Sequence, residues 1–132
     1  MHVSVIVTCY NEERNIRECL ETLINQTYDN DKFEILVIDG GSKDATQSIV
    51  KEFEKVYHNV TLAVEPKRGT AAGRNRGVVT ARYDYVAFID ADCEAPHDWL
   101  STLVKDYVKI QKKSEGVVAV GGTNIPPENA GS

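Results

Sequence analysis

Apolar and polar positions alternate in blocks along this chain. VSVIVTCYN (3–11) is β-branched and apolar almost throughout, as a strand covered on both faces should be. A helix is expected over 12–26, where Ile16, Cys19, Leu20, Leu23 and Ile24 make one apolar stripe at helical spacing. FEILVID (33–39) reads as a second strand that stops at Gly40-Gly41, and a second helix over 43–57 should bury Ile49, Phe53, Val56 and Tyr57. VTLAVE (60–65) is a third strand closed by Pro66. The helix expected over 70–81 is built of small residues, and its Gly73 and Gly77 point to close backbone approach rather than to helix propensity. YVAFID (85–90) is a fourth strand, and Trp99, Leu100, Leu103, Val104, Tyr107 and Val108 mark a helix over 97–112. VVAVGG (117–122) reads as a fifth strand, and TNIPPENAGS is a polar, Pro-containing tail.

Strand–helix alternation of this kind predicts an α/β protein, a three-layer α/β/α sandwich with a mainly parallel sheet and right-handed crossovers. With 132 residues there is room for one domain, placed at 1–124, with 125–132 as a tail leading to a part absent from this chain. Ligands of such sheets bind beyond the carboxyl ends of the strands. Here those ends carry Thr8, Tyr10, Asn11 and Glu12, then Asp39, Gly40, Gly41 and Ser42, then 65–68, then Asp90, Ala91 and Asp92. Polar chemistry gathers on one edge.

A net charge of -5 argues against nucleic acid as a partner. The three cysteines, Cys9, Cys19 and Cys93, have no paired or zinc-like spacing and read as buried thiols in a reducing compartment. No apolar run approaches a membrane span. A cytoplasmic location is expected, with any membrane association carried by segments absent from this chain.

Asp90 and Asp92 end an apolar run, and residues two apart on a strand lie on the same face about 6.6 Å apart. Two carboxylates that close raise one another's pKa unless a cation offsets them. A hard divalent ion, Mg²⁺ or Mn²⁺, takes one or two carboxylates plus substrate phosphates. Asp39 before two glycines is a turn, or an acceptor for a base N–H; Ser42 reads as the N-cap of the next helix. Tyr10 is rim packing or a stacking platform for a nucleobase, and Glu12 a favourable first-turn acid or a partner for a ribose hydroxyl. Arg74, on the small-residue helix, can reach into the crevice, whereas Lys67 and Arg76 read as solvated charges. His2, His58 and His97 are scattered without acid partners at helical or strand spacing and read as surface residues. Neither a dinucleotide-binding glycine fingerprint nor a Walker pattern occurs.

In this order, VSVIVTCYNEERNIRECLETLINQTY, FEILVIDGGSKDAT, GTAAGRNRG and YVAFIDADCEAP, the chain resembles the family 2 glycosyltransferases. The resemblance implies a GT-A fold, truncated after the donor-binding half, that binds a UDP- or GDP-sugar. It implies that Tyr10 stacks on the base, with Thr8, Asn11, Glu12 and Gly40 bordering the nucleotide. Asp39 would accept from the base edge, and Arg74 would lie near the nucleotide. Asp90 would contact the ribose beside Ala91, and Asp92, with Asp90, would carry the metal on the diphosphate. Many members of the family have Pro where Cys9 stands. Transfer would be inverting, to an acceptor hydroxyl of a polysaccharide, lipid phosphate or protein glycan, with the catalytic base expected beyond Ser132.

Two other classes compete. A nucleotidyltransferase would carry a Gly-rich basic loop directly after the first strand, where this chain has Cys-Tyr-Asn-Glu-Glu. A phospho-receiver needs an acidic pair after its first strand and an Asp after its third, which Glu12-Glu13 and Glu65 fit badly. A non-catalytic nucleotide-binding or interaction module is the remaining alternative.

Overall fold

The computed structural model describes residues 1–67 and 69–113. The expected strand at 117–122, the tail, the boundary at 124 and Arg68 lie outside these.

Four strands form one parallel sheet: β1 (Val3–Cys9), β2 (Phe33–Asp39), β3 (Val60–Val64) and β4 (Tyr85–Asp90), in the order β3-β2-β1-β4. The α-helices are α1 (Ile16–Ile24), α2 (Thr46–Val56), α3 (Thr70–Thr80) and α4 (Trp99–Lys113). Strand β1 lies between β2 and β4, and its residues alternate between two cores. Val3, Val5 and Val7 pack with Ile16, Leu20 and Leu23 of α1, Val50 and Phe53 of α2, and Trp99 and Leu100 of α4. Ile6 joins Leu36, Ile38 and Val86 on the opposite face, beneath α3.

This division of helices follows from handedness. The chain steps from β1 to β2 to β3 in one direction, so right-handed crossovers put α1 and α2 on one face. The step from β3 back across to β4 runs the other way and puts α3 on the other face. The direction of winding thus reverses at β1, which opens a crevice beyond its carboxyl end.

Glycines let α3 come close. A Cβ on Gly77 would stand 2.5 Å from Ile6 Cγ2, and one on Gly73 would stand 3.1 Å from Thr8 Cγ2. Close backbone approach, as the sequence suggested, is what these glycines provide.

Two helices differ from expectation. Helix α1 starts at Ile16, because 12–15 form a turn in which Asn15 and Ile16 both donate to the Glu12 carbonyl. Helix α2 starts at Thr46 and buries Thr46, Val50 and Phe53, a stripe at i, i+4 and i+7. Val56, expected in the core, is 71% exposed, and Tyr57 is 37% exposed with its ring stacked on Phe53. Val56 falls off the Thr46–Val50–Phe53 stripe, whereas Tyr57 continues its spacing but is the C-cap, with extended backbone, just past the end of the helix.

Candidate nucleotide-binding site

A pocket of about 360 Å³ opens beyond the carboxyl ends of β1, β2 and β4. Strand β1 and its exit supply Thr8, Cys9, Tyr10 and Glu12, and β2 supplies Ile38 and Gly40. The β3–α3 loop and the start of α3 add Glu65, Lys67, Gly69, Thr70 and Gly73, and the end of β4 adds Asp90 and Asp92. Six sequence-derived candidates therefore meet: Thr8, Tyr10, Glu12, Gly40, Asp90 and Asp92. Asn11, Asp39, Arg74 and Ala91 do not line the pocket.

The acidic pair is held from several sides. Thr8 stands in register with Asp90, and its hydroxyl donates to Asp90 Oδ1 at 3.1 Å. Ala91 turns into the core at 1% exposure, its N–H donating to the Thr8 carbonyl at 3.2 Å, which leaves Asp92 exposed on the other side. The Cys93 N–H donates to the Asp90 carbonyl at 3.0 Å, closing the turn. Cys93 Sγ lies 3.5 Å from Asp92 Oδ1, and burial, followed by the charge of Asp92, pushes that thiol up to about 11.

Charge balance in the pocket favours a cation. Among the described residues Glu12, Glu65, Asp90 and Asp92 line it against Lys67, with Glu65 also paired to Arg76. Among the described residues no three His, Cys, Asp or Glu side chains are placed to hold an ion by themselves. Asp90 and Asp92 together are a hard oxygen set that fits Mg²⁺ or Mn²⁺ when phosphate oxygens complete the coordination.

Asp39 is fully buried. Its Oδ1 accepts from Ser42 Oγ at 2.5 Å and Cys9 Sγ at 3.4 Å; its Oδ2 accepts from Gly41 N at 2.9 Å, Ser42 N at 2.7 Å and Gln47 Nε2 at 2.7 Å. Burial alone would raise this carboxyl, but the hydrogen bonds from Ser42, Gln47 and Cys9 outweigh it and hold the group below the usual range. Strand parity explains the placement. Cys9 pairs with Asp39 and Thr8 with Asp90, so Asp39 leaves the sheet on the α1–α2 face and Asp90 on the α3 face. A direct base contact by Asp39 would require one of these donors to let go.

Ser42 is not the helix cap. Its hydroxyl is spent between Asp39, to which it donates, and the Asn11 N–H, from which it accepts at 2.7 Å. The start of α2 is served by Asp44, whose Oδ1 accepts the Thr46 N–H at 2.9 Å. Asn11 is exposed, with φ 51, and its Oδ1 accepts the Lys43 N–H at 2.9 Å.

Arg74 lies over the Phe88 ring, 5.2 Å from its centroid, and its Nε is buried with no hydrogen-bond partner among the described residues. Phe88 is two residues before Asp90, so Arg74 sits behind the acidic pair, alongside the pocket wall. Lys67 and Arg76 were expected to be plain surface charges. Lys67 lines the pocket, and Arg76 Nε pairs with Glu65 Oε1 at 3.4 Å. The signal for Lys67 was its place just past the end of β3; for Arg76 it was helical spacing from the loop.

Comparison with known proteins follows the same lines. A sequence model described as "Glycosyl transferase family 2" matches residues 4–124. The glycosyltransferase AglE of Haloferax volcanii is 38% identical over 124 residues, 93% of this chain and 36% of that protein. The mannosyltransferase PcManGT from Pyrobaculum calidifontis, solved in complex with GDP-Man and Mn²⁺, has a TM-score of 0.74 at 36% identity, covering 79% of this chain and 31% of the other. S. aureus TarS 1-349 in complex with UDP has a TM-score of 0.71 at 30% identity, covering 86% of this chain and 32% of the other. This chain therefore spans well under half the length of each of these proteins.

Proposed function

Because the chain belongs to glycosyl transferase family 2 and has the GT-A fold, we propose that it is the donor-binding part of an inverting transferase that uses a UDP- or GDP-sugar. One observation carries this reading: Tyr10, Asp90 and Asp92, from the ends of the adjacent strands β1 and β4, line a single pocket. A nucleoside diphosphate needs that combination of an aromatic face, a ribose acceptor and a carboxylate for a phosphate-bound cation.

Each residue has a task in this scheme. The Tyr10 ring offers its face to the base, and Gly40, where a Cβ would stand 3.4 Å from Tyr10 Cδ1, adds no side chain beside the ring. Thr8 orients Asp90 so that its carboxylate can accept from a ribose hydroxyl. Asp92, exposed at the pocket mouth, with Asp90 would hold Mg²⁺ or Mn²⁺ against the diphosphate. When bound, such an ion offsets the negative charge that grows on the leaving nucleoside diphosphate. The N-terminus of α3, which has no side-chain cap, adds partial positive charge at Gly69 and Thr70, and Lys67 adds a full one. The base that deprotonates the acceptor hydroxyl is assigned to the part of the protein outside this chain. GDP-Man and UDP in the two structural relatives support the donor class.

Calorimetry with UDP and GDP, each with and without Mn²⁺, tests the proposal. Binding that requires metal and drops at least tenfold in Asp92→Ala is expected. Folded protein that binds neither nucleotide, or an Asp92→Ala variant with unchanged affinity, would overturn it.

A further inference from the structure

The loops after β1 and β2 are stitched together by side chains. Asn11 holds φ 51, in the left-handed region that non-glycine residues rarely adopt and that Asn adopts more readily than most. Two hydrogen bonds tie it here: Asn11 N to Ser42 Oγ at 2.7 Å, and Lys43 N to Asn11 Oδ1 at 2.9 Å. Further along the same seam, the Glu12 N–H donates to Thr46 Oγ1 at 2.8 Å, and the Ala45 N–H donates to Glu13 Oε1 at 3.0 Å. Ser42 is anchored in turn, since its hydroxyl and N–H both donate to the buried Asp39 carboxylate.

Tyr10 adjoins this seam. It immediately precedes Asn11, lines the pocket, and approaches Gly40 at the head of the same β2–α2 turn. Neither Asn11 nor Ser42 lines the pocket, so any effect they have on a ligand passes through what they hold. A flat ring helps binding most when it is already set at the ligand's position, because the ordering cost is then not charged to the binding step.

We propose that Ser42 and Asn11 are positioning residues that fix the Tyr10 ring as the face on which the nucleobase rests. The inference rests on the donor reading given above. It assigns the pair an effect on the base end of the ligand alone, one that exists only while the Tyr10 ring is present.

A mutant cycle separates this from a merely structural role. Calorimetry uses UDP or GDP, whichever the unmodified protein binds more tightly with Mn²⁺. Ser42→Ala should weaken binding about tenfold, and Tyr10→Ala by at least as much, a loss in the range of one base–aromatic stack. In the Tyr10→Ala background, Ser42→Ala should cost nothing further. Asn11→Gly carries the same cycle: glycine accepts the left-handed backbone but lacks the Lys43 acceptor, so this variant keeps the test open should Ser42→Ala fail to fold. Losses that add across both cycles, or affinities unchanged in both single variants, would overturn the positioning role and leave the donor reading standing. If the unmodified protein bound neither nucleotide, both would fall together.

Discussion

Thr8 and Asp90 stand opposite one another on β1 and β4, and the Thr8 hydroxyl donates to the Asp90 carboxylate at 3.1 Å. The strand that begins the fold thereby aims the acid that ends the fourth strand. Thr8→Val keeps the shape of the side chain and removes the donor. A hydrogen bond to a charged group contributes about 1.5–3 kcal/mol. Nucleotide affinity in the presence of Mn²⁺ is expected to fall about ten- to a hundredfold in Thr8→Val and to recover in Thr8→Ser, as read by calorimetry. Equal affinities in all three proteins would show that Asp90 needs no such alignment.

Gly77→Ala sets two effects against each other. Alanine is the better helix former by about 1 kcal/mol. Its Cβ, however, would lie 2.5, 2.9 and 3.0 Å from three carbons of Ile6, a side chain buried at 0% exposure in the second core. Overpacking of that kind costs about 1–3 kcal/mol, so packing should win. Urea unfolding should show Gly77→Ala less stable than the unmodified protein by up to about 2 kcal/mol. A stabilised variant would mean that α3 lies farther from the sheet than described.

Much of the fold could be read from local pattern because its strands are short apolar runs that announce themselves. The faces of the strand ends were harder. Asp39 and Asp90 both terminate such runs, and both were assigned to the same crevice. Which face each takes depends on the register that pairs Cys9 with Asp39 and Thr8 with Asp90, and a one-residue shift exchanges the faces. Register is a relation between segments remote in sequence. Ser42 shows the same limit: it reads as a helix cap, but the N–H of Asn11 takes its hydroxyl, and Ala45 stands at the start of α2 without a side-chain cap. The phase of α2 was misjudged for a related reason, since Val50 and Val56 are equally apolar and only the docked helix distinguishes them. Tyr10, Asp90 and Asp92, by contrast, lay within motifs whose spacing already placed them at strand exits.

The thiols should be quiet. Burial first, then the Asp39 carboxylate, pushes the Cys9 thiol far above its ordinary range; burial first, then Cys93, does the same for Cys19. Cys93 is raised to about 11. All three cysteines are buried and unpaired. Since the thiolate is the reactive form, a disulfide reagent at neutral pH should label the native protein only as fast as it opens, and all three thiols promptly in guanidinium. A rapid phase in the native protein would place at least one thiol at the surface.

Asp39 gives the fold a specific acid sensitivity. Its carboxyl is held below the ordinary value in the folded state, so the unfolded chain binds the proton more readily. Stability from this group is therefore present in full above the unfolded value of about 3.9 and is lost as pH falls through the lower folded value. Asp39→Asn removes the titration and replaces a carboxylate that accepts from Ser42, Cys9, Gly41 and Gln47 by an amide whose NH₂ must face donors on one side or the other. At neutral pH that mismatch should cost about 2–4 kcal/mol. Urea unfolding of both proteins from neutral pH to below about pH 4 provides the test. The difference between them should be constant down to about pH 5 and shrink below about pH 4, because only the unmodified protein loses Asp39's contribution there. A constant difference across the whole range would mean that this carboxylate is not the centre of the β2–α2 turn.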